Sequence, residues 1–179
     1  MGLETFNRPL SLVGLEDPAL RELARPLRSD ELLGPAISAV VARMWRALDS
    51  AGGVGLAAPQ VGLPLAIFLV KFDETRAAYA NPIHAGFPSI ATELGREGCL
   101  SLPGYRADVM RPKSVMIEAF RLDGPRKGRG PITIVASDWL ARIYCHEIDH
   151  LRGMLYVDRA LPGTMRANEP TILEMPVEE

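Results

Sequence analysis

Two of the three histidines of the 179-residue chain lie four residues apart, in the stretch His146-Glu147-Ile148-Asp149-His150. In an α-helix, positions i and i+4 lie on one face, so both imidazoles can bind one metal ion. Glu147 is rotated by about 100° around the helix and is poorly placed as a ligand on that face. Its carboxylate can still accept a proton from a water molecule on the metal. The motif therefore predicts a divalent metal that activates water, with Glu147 as general base.

The helix motif supplies two ligands, whereas a catalytic metal site uses three protein ligands and keeps one position open. A third histidine after the motif, as in one class of zinc protease, is excluded because Tyr156 stands there. His84 is the only other histidine, and its Pro- and Gly-rich surroundings predict a surface loop. Glu169 and Glu174 lie in a tail broken by prolines, which is a weak scaffold for a metal. Cys99 is the preferred third ligand because a thiolate binds metals strongly.

Three separated segments of the chain resemble, in order, the three motifs of the peptide deformylases. The first segment is Gly-Val-Gly-Leu-Ala-Ala-Pro-Gln at 53–60, the second is Glu-Gly-Cys-Leu-Ser at 97–101, and the third is the helix motif at 146–150. Shorter matches flank them, and the resemblance covers about residues 8–160. Three motifs in the same order are strong support for membership of this family.

The resemblance implies a complete metal site and a reaction. Cys99, His146 and His150 match the family's metal ligands, and the family hydrolyses the formyl group of N-formylated peptides or nascent chains, releasing formate. One cysteine and two histidines by themselves suit zinc. The family implies ferrous iron as the physiological ion, with zinc, nickel or cobalt as substitutes. We therefore expect one divalent metal ion per chain.

The resemblance also assigns roles to residues around the metal. Glu147 takes the proton of the attacking water and passes it to the leaving amine. The side-chain amide of Gln60 and the backbone N–H of Leu100 match the family's donors to the developing oxyanion. Gly55 would let an extended substrate lie beside the backbone.

A further set of residues is expected to contact the substrate. These residues are Val54, Gly55, Gly98, Arg106, Trp139, Arg142 and Ile143. Trp139 shares a helix face with Arg142 or Ile143 and with His146, a face that in the family lines the pocket for the first substrate side chain. A tryptophan there either packs in the core or narrows the pocket and changes its preference. Arg106 and Arg111 resemble family arginines, and the alternatives for both are solvated loop charges or substrate contacts.

Besides Trp139, two features depart from the family pattern. Cys145 stands where the family usually has glutamine, and we expect it to be a small buried apolar residue on the core side of its helix. The alternative is a lost hydrogen bond near the metal. The second departure is the tail at 161–179, which is acidic and expected to be irregular. It does not match the basic C-terminal helix that some family members use at the ribosome, so docking by that route is not expected.

Periodicity predicts the elements that position these residues. Asp17 and Pro18 start a short helix to about 25, and a longer helix begins at Ser29 or Asp30. This longer helix ends at about 49, and a second long helix runs from 137 or 138 to 151. The predicted strands between them are 65–70, 115–120 and 132–136. The order predicts an α+β fold in which mixed or antiparallel strands pack around a central helix that carries the HExxH motif.

Composition limits the class of protein. Hydrophobic residues make up 47% of the chain and charged residues 23%, which suits one core and a single domain over 1–179. The net charge of −2 indicates no surface for nucleic acid. The longest uncharged apolar run, 61–70, is too short to span a membrane. Two cysteines cannot form a disulfide framework, so we expect a cytoplasmic protein with reduced thiols.

Three alternatives to the deformylase reading stay open at this point. The first is a related hydrolase that acts on another N-formyl or small N-acyl group, which Trp139 and Cys145 motivate. The second is a zinc endopeptidase that takes a glutamate ligand from the tail. The third is a binding module with a purely structural metal, which an intact Glu147 and Gln60 argue against.

Overall fold

The computed structural model describes residues 10–124, 127–128 and 130–167. Within those residues the chain forms two α-helices and eight β-strands. In chain order they are α1 Pro35–Ala51, β1 Gly55–Ala57, β2 Ile67–Phe72, β3 Thr75–Gly86, β4 Thr92–Cys99, β5 Leu102–Pro112, β6 Ser114–Arg121, β7 Pro131–Ser137, α2 Asp138–Leu151 and β8 Arg166–Ala167. The predicted α+β class is confirmed.

The strands form two antiparallel sheets. The larger sheet has five strands in the order β1-β2-β3-β6-β7, and the smaller sheet has three in the order β4-β5-β8. Helix α2 packs on β1, β2, β6 and β7 of the larger sheet and also contacts β5 of the smaller one. Residues of α2 can therefore meet residues of the β4–β5 hairpin.

Both faces of the larger sheet are covered. Phe68 and Val70 of β2 pack in the cluster that includes Tyr144 of α2, whereas Ile67 and Leu69 pack in the cluster built on α1. Successive side chains of a strand point to opposite faces, so a strand buried on both sides is continuously apolar. This explains why the sequence of β2 is a run of consecutive apolar residues rather than an alternation of apolar and polar residues.

Helix α1 begins later than predicted. Gly34 has extended backbone angles, φ −63° and ψ 148°, and Pro35 is the first helical residue. A residue before proline is disfavoured in the α region, so the helix does not extend back to Ser29 or Asp30 as expected. Its end agrees with the prediction, because Gly52 adopts the left-handed conformation with φ 66°.

The predicted helix from Asp17 to about 25 is also wrong. Asp17 does cap a turn by accepting a hydrogen bond from Ala19 N, but only a 3-10 turn forms, Pro18–Leu20. Beyond it, Ala24 N donates to Leu151 O and Arg25 N donates to Pro64 O. These long-range bonds use the backbone groups that a longer helix would need.

The strands β1, β3, β4 and β5 were not predicted. Strand β3 passes through Asn81-Pro82, where a register shift against β6 accommodates the proline. His84 lies on this strand opposite Ile117, so its assignment to a loop is wrong.

Two residues of the predicted irregular tail form a strand. Arg166 and Ala167 pair with Arg106 and Tyr105 of β5, so the expectation is wrong at these positions. Residues 168–179, which include Glu169 and Glu174, lie outside the described residues. Across the described part of the chain, no helix has the length and apolar character that crossing a membrane requires.

Candidate active site

The three predicted metal ligands come together. Cys99 is the last residue of β4, at a register shift in the β4–β5 hairpin, and His146 and His150 lie one turn apart on α2. Their ligand atoms all lie within 4.8 Å of one another, and Cys99 Sγ is 3.3 Å from His150 Nε2. In the described residues this is the one group of three such side chains found at metal-binding distances. One thiol and two imidazoles suit a tetrahedral divalent ion with a fourth position open.

His150 is fully buried, and its imidazole is kept neutral by that burial. It is 1% exposed, and burial lowers the pKa of its imidazole well below the ordinary value. The neutral imidazole is the form that binds a metal. Among the described residues, Nδ1 of His150 has no hydrogen-bond partner, which leaves the ring held by packing and by its neighbours in the cluster.

Glu147 lies against the backbone of β1. A Cβ atom built on Gly55 would lie 2.8 Å from Cδ of Glu147, so any other residue here would force this carboxyl group to shift. We expected Gly55 to make room for a substrate backbone, and in the structure it also makes room for Glu147. Burial raises the pKa of Glu147 to about 7, and the neighbouring His146 imidazole opposes that rise. A carboxylate poised near neutral pH can both accept and donate a proton.

The amide of Gln60 is held in one orientation. Gln60 is 1% exposed in the 3-10 turn Ala58–Val61, and its Oε1 accepts a hydrogen bond of 2.8 Å from Ala57 N. Its Nε2 therefore faces the other way and donates to Cys99 Sγ at 3.3 Å. This places an N–H donor beside the metal-binding group.

A network of buried charges behind the ligands was not predicted from the sequence. Glu97 Oε2 lies 3.0 Å from His146 Nδ1, and both carboxylate oxygens of Glu97 accept hydrogen bonds from Arg111. Burial alone would raise the pKa of Glu97, but the hydrogen bonds from Arg111 and His146 outweigh it and lower the pKa to about 2. The anionic carboxylate orients the imidazole of His146.

Arg111 is neither a solvated loop charge nor a substrate contact, so both expectations for it are wrong. It is 3% exposed, and besides Glu97 it binds Asp149, which also accepts two hydrogen bonds from Arg159. The signal available in the sequence was the position of Glu97 and Asp149 inside the second and third motifs, next to the predicted metal ligands.

A cavity of about 760 Å³ opens over the metal-binding group. Gln60, Cys99, Leu100, His146 and Glu147 line one part of it. All seven residues predicted to contact the substrate also line it: Val54, Gly55, Gly98, Arg106, Trp139, Arg142 and Ile143. His150 is not on the cavity surface.

The side chains that line the cavity differ in how far they are exposed. Trp139 is 43% exposed on the cavity wall, which excludes the alternative that it packs in the core. Arg106 is exposed on β5. Arg142, in contrast, is 3% exposed and donates to Glu97 and to backbone carbonyls.

Cys145 and His84 line a separate cavity of about 150 Å³. Cys145 is partly buried against the core cluster that contains Tyr144, as expected from the sequence. Burial raises the pKa of its thiol to about 11. Neither residue belongs to the metal-binding group.

A cluster of one thiol and two imidazoles that borders a cavity, with a buried carboxylate beside it, is typical of a metal-dependent hydrolase. The model of the family described as polypeptide deformylase matches residues 9–165. The chain belongs to the polypeptide deformylase family.

Individual relatives support this family assignment. The chain is 35% identical over 187 residues to peptide deformylase 1A, chloroplastic/mitochondrial, of Arabidopsis thaliana, covering 94% of this chain and 66% of that protein. It is 46% identical over 121 residues to the peptide deformylase of Borreliella burgdorferi, covering 65% and 68% of the two. The chain thus spans about two thirds of the length of these relatives. A peptide deformylase structure from Synechococcus elongatus in complex with actinonin is 34% identical, with a TM-score of 0.75, covering 87% of this chain and 81% of that one.

Proposed function

We propose that this chain hydrolyses the N-formyl group of N-formylmethionyl peptides and nascent proteins, releasing formate. The observation that carries the proposal is the group formed by Cys99, His146 and His150, of which Cys99 and His146 line the same cavity as Glu147 and Gln60. A structural metal site is normally closed by a fourth protein ligand, whereas within the described part of the chain this group has three and opens to the cavity. The catalytic roles rest on that arrangement and on membership of the family.

Cys99, His146 and His150 would hold one divalent ion, with the HExxH motif on α2 as the central helix of a single domain over 1–179. Such an ion supplies Lewis-acid activation of water, lowering its pKa towards about 7. We propose Fe²⁺ as the physiological ion, with Zn²⁺, Ni²⁺ or Co²⁺ able to replace it. A cysteine ligand open to solvent is consistent with an oxygen-sensitive site.

Glu147 is the proposed general base and acid. Its carboxylate takes a proton from the attacking water, whose oxygen bonds to the formyl carbon. The C–N bond then breaks, and Glu147 returns the proton to the leaving amine of the peptide. The confined position of Glu147 against Gly55 keeps the same carboxylate in reach of both steps.

Gln60 and Leu100 are the proposed donors to the oxyanion that forms on the formyl oxygen. Gln60 supplies the side-chain N–H that the hydrogen bond to Ala57 orients, and Leu100 supplies its backbone N–H. Both residues line the cavity next to Cys99.

The remaining cavity residues are proposed to bind the peptide. Val54, Gly55 and Gly98 border its backbone, Arg106 binds its polar groups, and Trp139 with Ile143 forms the wall against the first side chain. Comparison of formyl-Met, formyl-Ala and formyl-Phe peptides tests the role of Trp139: equal rates would exclude it as a determinant of specificity.

Formate release from formyl-Met-Ala-Ser, measured anaerobically with added Fe²⁺, tests the function. We expect turnover by the chain and a loss of about 10²–10⁴-fold in Glu147→Gln, with metal content unchanged. Glu118→Gln is the matched control, because Glu118 is exposed on β6, away from the cavity. A metal-loaded chain without turnover would overturn the proposal.

A further inference from the structure

Arg142 connects helix α2 to the hairpin that carries Cys99. Its Nη2 donates to Glu93 O at 2.8 Å on β4, and its Nη1 donates to Val109 O at 2.9 Å on β5. Nη1 also donates to Glu97 Oε1 at 2.8 Å. Nη1 donates as well to Gly95 O at 3.3 Å. One buried guanidinium therefore holds four points of the β4–β5 hairpin, and its planar fork of donors is what a lysine in this place would lack.

The bond from Arg142 completes the coordination of the Glu97 carboxylate. Oε1 accepts from Arg142 and from Nε of Arg111, both at 2.8 Å. Oε2 accepts from Nη2 of Arg111 at 2.9 Å and lies 3.0 Å from Nδ1 of His146. A carboxylate has about four acceptor directions, so all of them are used. With three directions occupied by arginines, the fourth can only face His146.

Gly95 shows that the backbone is adapted to this guanidinium. A Cβ atom on Gly95 would lie 2.6 Å from both Cζ and Nη2 of Arg142. Any other residue at position 95 would force the guanidinium to shift from this position.

We propose that Arg142 is a positioning residue for the metal site: it holds Glu97 in the orientation that fixes the imidazole of His146. This inference rests on the metal site of the proposed function. It replaces the expectation that Arg142 contacts the substrate, because its side chain is 3% exposed and both of its Nη atoms donate to the protein.

Metal affinity and the split between kcat and KM distinguish this role from a merely structural one. In Arg142→Met we expect the dissociation constant for Co²⁺, measured by competition with a chelator, to rise about 10-fold, and the absorption bands of bound Co²⁺ to change. The kcat for formyl-Met-Ala-Ser should fall while KM stays within about two-fold. Arg142→Lys should recover little, since it keeps the charge but loses the fork.

Arg121→Met is the matched control. Arg121 also joins a carboxylate to a backbone carbonyl, through Asp123 Oδ1 at 2.7 Å and Arg76 O at 2.9 Å, but it lies on β6, outside the cavity. This variant should lose thermal stability and keep the Co²⁺ dissociation constant of the unmodified chain. Equal Co²⁺ affinity in Arg142→Met and Arg121→Met would overturn the proposal, and so would a raised KM with unchanged kcat in Arg142→Met.

Gly95→Ala provides a second measurement if Arg142→Met fails to fold. It leaves every charge in place but displaces the guanidinium, so Co²⁺ affinity should fall as in Arg142→Met. Where both variants fold, adding Gly95→Ala to Arg142→Met should raise the Co²⁺ dissociation constant little further. If the two substitutions instead lower Co²⁺ affinity independently of each other, the proposal is contradicted. Co²⁺ binding is measured without substrate. A chain that binds Co²⁺ but does not release formate would overturn the proposed function and leave this comparison valid.

Discussion

Replacing Gly55 by alanine should displace the proposed catalytic base without touching the metal ligands. The new Cβ would lie 2.8 Å from Cδ and 3.0 Å from Cγ of Glu147, whereas ordinary contacts lie at 3.4–4 Å. The carboxyl carbon must therefore move by about 0.6 Å or more, and its nearer oxygen further still. The backbone of Gly55 does not have positive φ, so alanine is compatible with the strand itself.

A misplacement of about 1 Å in a catalytic group can cost about 10²-fold in rate. We therefore expect kcat for formyl-Met-Ala-Ser to fall by about 10- to 100-fold, or about 1.4–2.7 kcal/mol of activation free energy. Metal content should change little, because the three atoms nearest to the new Cβ all belong to Glu147 and none to Cys99 or the histidines.

Glu147→Asp in the Gly55→Ala background separates this explanation from a general defect. Aspartate is shorter by one methylene and relieves the contact, so the double variant should lose less activity than the product of the two single losses. Hydrolysis by metal-loaded Gly55→Ala at nearly the original rate would refute the position assigned to the base. Loss of metal from this variant would show that Gly55 acts through the ligands instead.

Three further predictions concern residues inside and outside the site. Gln60→Leu should lower kcat about 100-fold by removing an oxyanion donor, and an unchanged kcat would exclude Gln60 from the mechanism. The same variant should lower the free energy of unfolding in urea by about 1–3 kcal/mol, because the buried N–H of Ala57 loses its acceptor. Cys145→Gln should leave activity and metal affinity within about three-fold, because the side chain faces a separate cavity, and a large gain in metal affinity would contradict this. Arg76 and Lys71 lower the pKa of Asp49 to about 2 from its ordinary 3.8, so Asp49 stabilises the fold above about pH 4 and this stabilisation is lost as the pH falls towards 2. Asp49→Asn should accordingly lower Tm at neutral pH, with the difference from the unmodified chain vanishing in that acidic range; a constant difference would contradict the assignment.

Helix α2 shows how far local sequence patterns reach. The prediction began this helix at Ser137 or Asp138 and ended it at Leu151, and the structure has Asp138–Leu151. Strands β6 and β7 were predicted within one residue at each end. These elements have strong periodicity or dense branched residues, which local rules detect.

Strands β4 and β5 show where those rules end. Their residues include glycines, prolines and many charges, because one face of the hairpin is exposed and the other surrounds the buried network of Glu97 and Arg111. Charged residues normally indicate solvent or a polar ligand, so Arg111 was expected either as a solvated loop charge or as a substrate contact. It is buried because Glu97 and Asp149 neutralise it, and such pairing cannot be recognised before the chain is folded.

The sequence by itself determined the relative placement of the two proposed histidine ligands and the proposed base, because their spacing within one helix sets their geometry regardless of what surrounds it. It also supplied the motif that marks Cys99 as the preferred third ligand. Only the tertiary structure decided how that thiol, 51 residues from His150 along the chain, reaches both imidazoles, and which arginines hold the carboxylate behind them. The physical reason is that helix periodicity is local, whereas hairpin register and the compensation of buried charge depend on contacts between segments far apart in the chain.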